Sequence, residues 1–186
     1  VALESKRNEG RELLYPIVKD PDRENWLKRR IEELCSEFRQ LERLIKKSNQ
    51  QLLFGANSFP EADQLYKVAV ALDESSFSFF MNALNRSFVE SIDIYGKSIG
   101  KNQYYWNEIK SDYTQLWAAL DRIKVYRNER DHLHLNNTNS EKLRNYLAED
   151  FERKSFSSIK APFFVLQQRV LDRLLLAILR EIDQFN

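Results

Sequence analysis

Glycine and proline are scarce in this chain, four of each in 186 residues. Tight turns that need their special backbone angles must therefore be few, which favours long helices joined by modest loops. A single cysteine, Cys35, excludes an internal disulfide framework and any multi-cysteine metal site. It falls on an apolar helical position and reads as a small core residue. No apolar run approaches the roughly 18 residues needed to cross a bilayer. The opening Val1-Ala2-Leu3-Glu4-Ser5-Lys6 lacks the apolar core of a signal peptide and an initiator Met. It reads as the start of a trimmed or processed chain in a reduced, cytoplasmic setting. A net charge of +1 supplies no global field to draw in nucleic acid, so any such binding must use local patches. There is no Gly-rich phosphate loop, no His-Glu-x-x-His, no Cys/His cluster and no nucleophile elbow. Carboxylates do occur at helical spacing, but without the paired histidines of a di-iron bundle, so no metal or cofactor is expected.

What is present is 42% hydrophobic and 31% charged, the balance of a folded globular protein. The length suits one domain over residues 1–186. Within it we expect an irregular segment over 1–21, where Pro16 and Pro21 oppose a continuous helix, N-terminal helices over 22–72, and a helical core over 75–186. Leu27, Ile31, Leu34, Phe38, Leu41 and Ile45 recur at steps of four and three, predicting an amphipathic helix from about Asp22 to Lys47. Asn49 to Pro60 reads as a connection. Leu65, Val68 and Leu72 suggest a short helix, and Ser75 or Ser76 a cap for the next. Phe80, Leu84, Phe88, Ile92 and Tyr95 continue as a stripe that Gly96 and Gly100 end. Whether these pieces form one bent helix or two is left open by the pattern.

A further stripe runs through Ile109, Tyr113, Leu116, Leu120 and Ile123, and one more step of four lands on Arg127. Thr138 and Glu141 have capping-box spacing, ahead of an apolar face of Leu143, Leu147 and Phe151. Pro162 suits the first turn of a last helix, whose Leu171, Leu174, Leu175, Ile178, Leu179 and Ile182 make it apolar enough to lie centrally. With no convincing strand, the fold class is all-α, an antiparallel bundle of four to six helices. Core packing is the expected role of Trp106, Trp117, Phe79, Phe80, Phe163 and Phe164. Lys28-Arg29-Arg30 and Lys46-Lys47 read as a solvated face.

The two histidines, His132 and His134, both lie just past Arg127. In Arg127-Asn128-Glu129-Arg130-Asp131-His132 an Arg precedes a His with four residues between them, and Asn fills the position after the Arg. This segment resembles the active-site motif of HEPN-family ribonucleases, and the stripe from 75 to 186 matches the helical setting of that family. The resemblance implies a HEPN-like core at 75–186 and a metal-independent endoribonuclease of the toxin or antiviral-defence kind, acting on RNA. Arg127, His132 and Asn128 would be its catalytic residues. It further implies a homodimer with the motif at a two-fold interface, and leaves room for an antitoxin or regulatory partner.

The residue types suit that chemistry. Imidazole titrates near neutral pH and can take a proton from the 2′-hydroxyl or give one to the leaving 5′-oxygen. A fork-shaped, permanently charged guanidinium can hold the phosphate through the transition state. The products would be a 2′,3′-cyclic phosphate and a 5′-hydroxyl. A straight helix turns by about 140° over five residues but nearly closes over seven, so it aligns Arg127 with His134, which also fits the family spacing. The Arg-Asn-x-x-x-His form favours His132, and His134 is the second choice. Asn128, one turn before His132, would orient the imidazole or contact the phosphate. Arg122, Lys124 and Arg130 flank the motif as candidate RNA contacts. The alternative from another class is a non-catalytic helical bundle that serves RNA binding or oligomerisation.

Overall fold

The step of three and four along the first long segment produces helix α1, Arg23–Lys47. A computed structural model describes residues 15–54, 62–129 and 141–185. In it α1 buries Leu27, Ile31, Leu34, Cys35, Phe38, Leu41 and Ile45 and leaves its charged face to solvent. Its basic last turn, Lys46 and Lys47, complements the helix dipole. Short helix α2 covers Ala62–Leu65, so the predicted continuation through Val68 to Leu72 is not helical.

Helix α3, Glu74–Leu84, starts at Asp73 rather than at a serine. The Asp73 carboxylate accepts the Ser76 backbone N–H at 2.8 Å, and the Ser76 hydroxyl accepts the Asp73 N–H at 3.2 Å. Ser76 is thus the third-position member of a reciprocal box. From α3 the chain passes through a π-helical turn, Asn85–Glu90, into α4, Ser91–Ser98. Phe80, Leu84, Phe88 and Ile92 are buried along this continuous run.

Gly96 lies inside α4 instead of ending it. A Cβ there would sit 2.2 Å from Cβ of Tyr104, so the residue is needed for close approach. Gly100 does the terminating, at φ +80°. A second π-helical turn, Tyr105–Ile109, and the short α5, Lys110–Asp112, lead to α6, Thr114–Glu129. Helix α7 covers Glu141–Asp150, and its predicted cap Thr138 lies outside the described residues. Helix α8, Pro162–Asp183, opens on Pro162 after Ala161 at φ 54°.

Helix α8 is the centre of the bundle, packed along α1 on one side and α6 on the other. One continuous apolar core runs from Leu27 of α1 to Ile178 of α8. The fold is all-α, with no strand among the described residues. No described helix is long and apolar enough to cross a membrane.

Polar residues of α8 tie the irregular segments down. The Gln167 side chain accepts from Ala71 N–H and donates to the Ala69 carbonyl, both at 2.9 Å. Gln168 does the same for Val18 and Pro16 at 2.9 Å. Glu181 accepts the N–H groups of Gln115 and Leu116 at 3.0 and 3.1 Å, capping α6 from a neighbouring helix.

Glu42 plays the corresponding part in α1, accepting the N–H groups of Leu53 and Phe54 at 2.6 and 3.0 Å. Burial pushes its carboxyl above the usual value, and the two N–H groups only partly oppose this. The folded state therefore holds that proton more tightly than the unfolded chain. Raising the pH from the ordinary Glu value through the raised one releases the proton and removes stability. Glu42→Gln keeps an acceptor without the charge. Its melting temperature relative to wild type should rise as the pH climbs through that window, as thermal melts at several pH values would show. A difference that shrinks with rising pH would contradict this assignment.

Candidate active site

The last three turns of α6 carry the motif's first half, and they are buried on more than one side. Ile123 and Val125 join the core, Tyr126 is fully enclosed, and Asp121 and Arg122 are buried with them. The apolar stripe leaves the core at Arg127. Arg127 and Asn128 are exposed, although the spacing called for a buried group at 127.

Two amide oxygens orient the Arg127 guanidinium. Its Nη1 donates to Asn128 Oδ1 at 3.1 Å, and its Nε donates to Asn82 Oδ1 of α3 at 3.4 Å. Both acceptors are neutral amide oxygens. Asn128 thus contacts the arginine, and Asn82 is a site residue with no signal in the local sequence. Phe79, one turn before Asn82 on α3, is 49% exposed. The core role expected of it does not hold, because its side of α3 faces solvent. Arg130, His132 and His134 lie outside the described residues.

Lys124 precedes Arg127 by one turn. Its ammonium lies 4.1 Å from the Trp106 ring centroid and 5.3 Å from that of Tyr105. Trp106, also expected in the core, is 38% exposed, whereas Phe80 and Phe164 are fully buried. Trp117 and Phe163 are partly buried against the core.

Arg122 has a different environment from the one its nearness to the motif suggested. It is 6% exposed, pairs with Asp150 at 2.8 Å and with Glu149, and donates to the Tyr146 carbonyl at 3.3 Å. Its guanidinium also lies over the Tyr146 ring at 4.2 Å. Burial acts against its charge, but Asp150, Tyr126 and Glu149 outweigh that and hold it above the ordinary arginine value. Asp150 also accepts from Arg173 at 2.8 Å and from the Tyr126 hydroxyl at 2.5 Å. Burial, then Asp150, pushes that phenol well above its usual range. The donors of Arg122 tie α6 to α7, and Asp150 carries the link on to Arg173 of α8.

Arg122, Arg173, Arg180, Gln115, Tyr146 and Glu149 line a shallow cleft of about 240 Å³. Arg122 and Arg127 are five residues apart, about 140° round an ideal helix, so this cleft and the motif use different sides of α6. Among the described residues, no group of three or more His, Cys, Asp or Glu side chains is placed to hold a metal ion.

Chemically, the exposed end of α6 presents a guanidinium, a group whose planar fork suits carboxylate and phosphate oxygens. A lysine and an accessible indole sit one turn away. Comparison with protein-family models, with curated proteins and with solved structures finds no match to this chain.

Proposed function

We propose that this chain is a metal-independent endoribonuclease of the HEPN type, of the toxin or antiviral-defence kind. In this reading Arg127 holds the scissile phosphate, and His132 moves protons between the 2′-hydroxyl and the leaving 5′-oxygen. His134 is the second candidate for that role. The 2′-oxygen attacks phosphorus as it loses its proton, and the bond to the 5′-oxygen breaks as that atom gains one. A 2′,3′-cyclic phosphate and a 5′-hydroxyl result, with atoms and charge in balance and no metal required.

The observation that carries this reading is the setting of Arg127, exposed at the end of α6 and aimed by the amides of Asn82 and Asn128. A guanidinium fixed in direction before the phosphate arrives costs little reorganisation in the transition state. Asn128 accordingly serves as a positioning residue for Arg127. Lys124 and Arg130 remain phosphate contacts in this account, and Arg122 serves the fold.

One motif brings one favoured imidazole, whereas the reaction needs a proton removed and another supplied. Two copies related by a two-fold axis would bring two histidines and two arginines around one phosphate. Exposed Phe79, beside Asn82, gives apolar area for such a contact. Two Arg127 side chains repel each other, so Glu129, Asp131 or the bound phosphate must compensate. Arg127→Ala and His132→Ala chains, each inactive alone, should recover partial cleavage when mixed, through heterodimers that keep one Arg127 and one His132. Light scattering at micromolar concentration should report a dimer. A strictly monomeric protein with full activity would remove the shared site.

A further inference from the structure

Helix α6 carries a second pattern besides its apolar stripe. Trp117, Asp121, Lys124 and Asn128 are spaced by four, three and four, which places them along one side of the helix. From Trp117 to Asn128 that side spans about 16 Å at 1.5 Å per residue, ending beside Arg127.

Aromatic rings and ammonium groups alternate on it. Trp106 packs edge-on to Trp117 with centroids 5.9 Å apart and to Tyr105 at 5.1 Å. Lys124 covers Trp106 at 4.1 Å, Lys110 lies 4.8 Å from Trp117, and Lys142 lies 5.6 Å from the same ring. Lys97 joins them through Asp93, which feels both Lys124 and Lys97. The acids here are Asp93, Glu90 close enough to act on it, and the buried Asp121, which pairs with Lys142 at 2.8 Å. Four lysines against these three carboxylates leave a small positive excess, and Lys124 sits on the exposed indole itself.

We infer that this side of α6 is a stacking platform for single-stranded RNA that leads the strand to Arg127. Every base has a π face, and an exposed indole accepts one without regard to sequence, while the flanking lysines meet the phosphates. The Lys124 ammonium now over Trp106 is mobile on a four-carbon stem. A base that stacks on the indole releases it to the adjoining phosphate, exchanging a cation–π contact for an ion pair and a stack. Single-stranded RNA fits better than a duplex, because the bases must be splayed out to reach the ring. The direction of the strand rests on the nuclease reading of Arg127, whereas the binding itself does not.

The test uses the His132→Ala chain in EDTA and a fluorescent, unstructured RNA of about 12 nucleotides, a length within the range of single-strand sites. Fluorescence anisotropy should show binding that Trp106→Ala weakens about tenfold and Trp106→Phe largely retains. Lys124→Glu, an independent variant should Trp106→Ala fold poorly, should weaken it at least as much. Lys124→Ala should reduce the salt slope by about one. A duplex of the same sequence should bind more weakly. Absent RNA binding, or binding that none of these changes alters, overturns the platform. Trp106-dependent binding by a wild-type chain that cleaves nothing would retain the platform and refute the nuclease reading. Cleavage with an unchanged kcat/KM in Trp106→Ala would refute the platform alone.

Discussion

Arg127→Ala should lower RNA cleavage by at least about 10³-fold while leaving the fold intact, because a guanidinium stabilising phosphoryl charge is worth about that much. The side chain is exposed and bonds to the amides of Asn82 and Asn128. Its removal empties no core space, so stability should stay within about 0.5 kcal/mol of wild type. Arg127→Lys keeps the charge but loses the planar fork, and should recover only part of the rate. Asn82→Ala removes an orienting acceptor from the other helix and should fall between wild type and Arg127→Ala. Cleavage rates and thermal melts on the same preparations separate these effects. An Arg127→Ala protein that cleaves normally would remove the arginine from the mechanism.

Asp150→Ala should produce the largest loss of stability of any charged-residue substitution considered. This one buried carboxylate serves Arg122, Arg173 and the Tyr126 hydroxyl at once, joining α7 to α6 and α8. Removing it takes a buried carboxylate from Arg122, Arg173 and the Tyr126 phenol at once, with half-exposed Glu149 still paired to Arg122. Breaking a buried ion pair from one side costs about 3–5 kcal/mol. That is a large share of the 5–15 kcal/mol that holds a typical domain together. For a chain of this size it corresponds to a fall in melting temperature on the order of 6–20 °C. A fall of less than about 2 °C would mean that the network contributes little.

The contrast between Arg122 and Arg127 shows what the sequence could and could not convey. Periodicity located α1 to within a residue and found Pro162 at the start of α8, because one helix face in each is apolar and the other polar. On the stretch leading through α6 the same rule held for the stripe from Ile109 to Ile123, whose members are all buried. It missed the buried Asp121 and Arg122 because that helix is enclosed on several sides. Arg122 is buried because Asp150 and Glu149 wait on a helix far along the chain. Arg127, in the apolar register, is exposed and bonds to the amides of Asn82 and Asn128 instead. Spacing along one helix carries no information about partners supplied by another, which is also why Asn82, Glu181 and Gln167 went unrecognised. Gly96 looked like a terminator for the same reason: the Tyr104 contact that requires it comes from beyond the helix end. Exposed Phe79 and Trp106 reverse the usual expectation that aromatic residues fill the core, and both lie near Arg127 or Lys124, where a ligand surface is proposed.

The most direct test of the account is the chemistry of the RNA ends. Wild-type protein incubated with mixed RNA in excess EDTA should produce fragments ending in 2′,3′-cyclic phosphate and starting with 5′-hydroxyl, and Arg127→Ala and His132→Ala should produce neither. Cleavage that stops in EDTA and returns with Mg²⁺ or Mn²⁺, or fragments that carry 5′-phosphate, would contradict it.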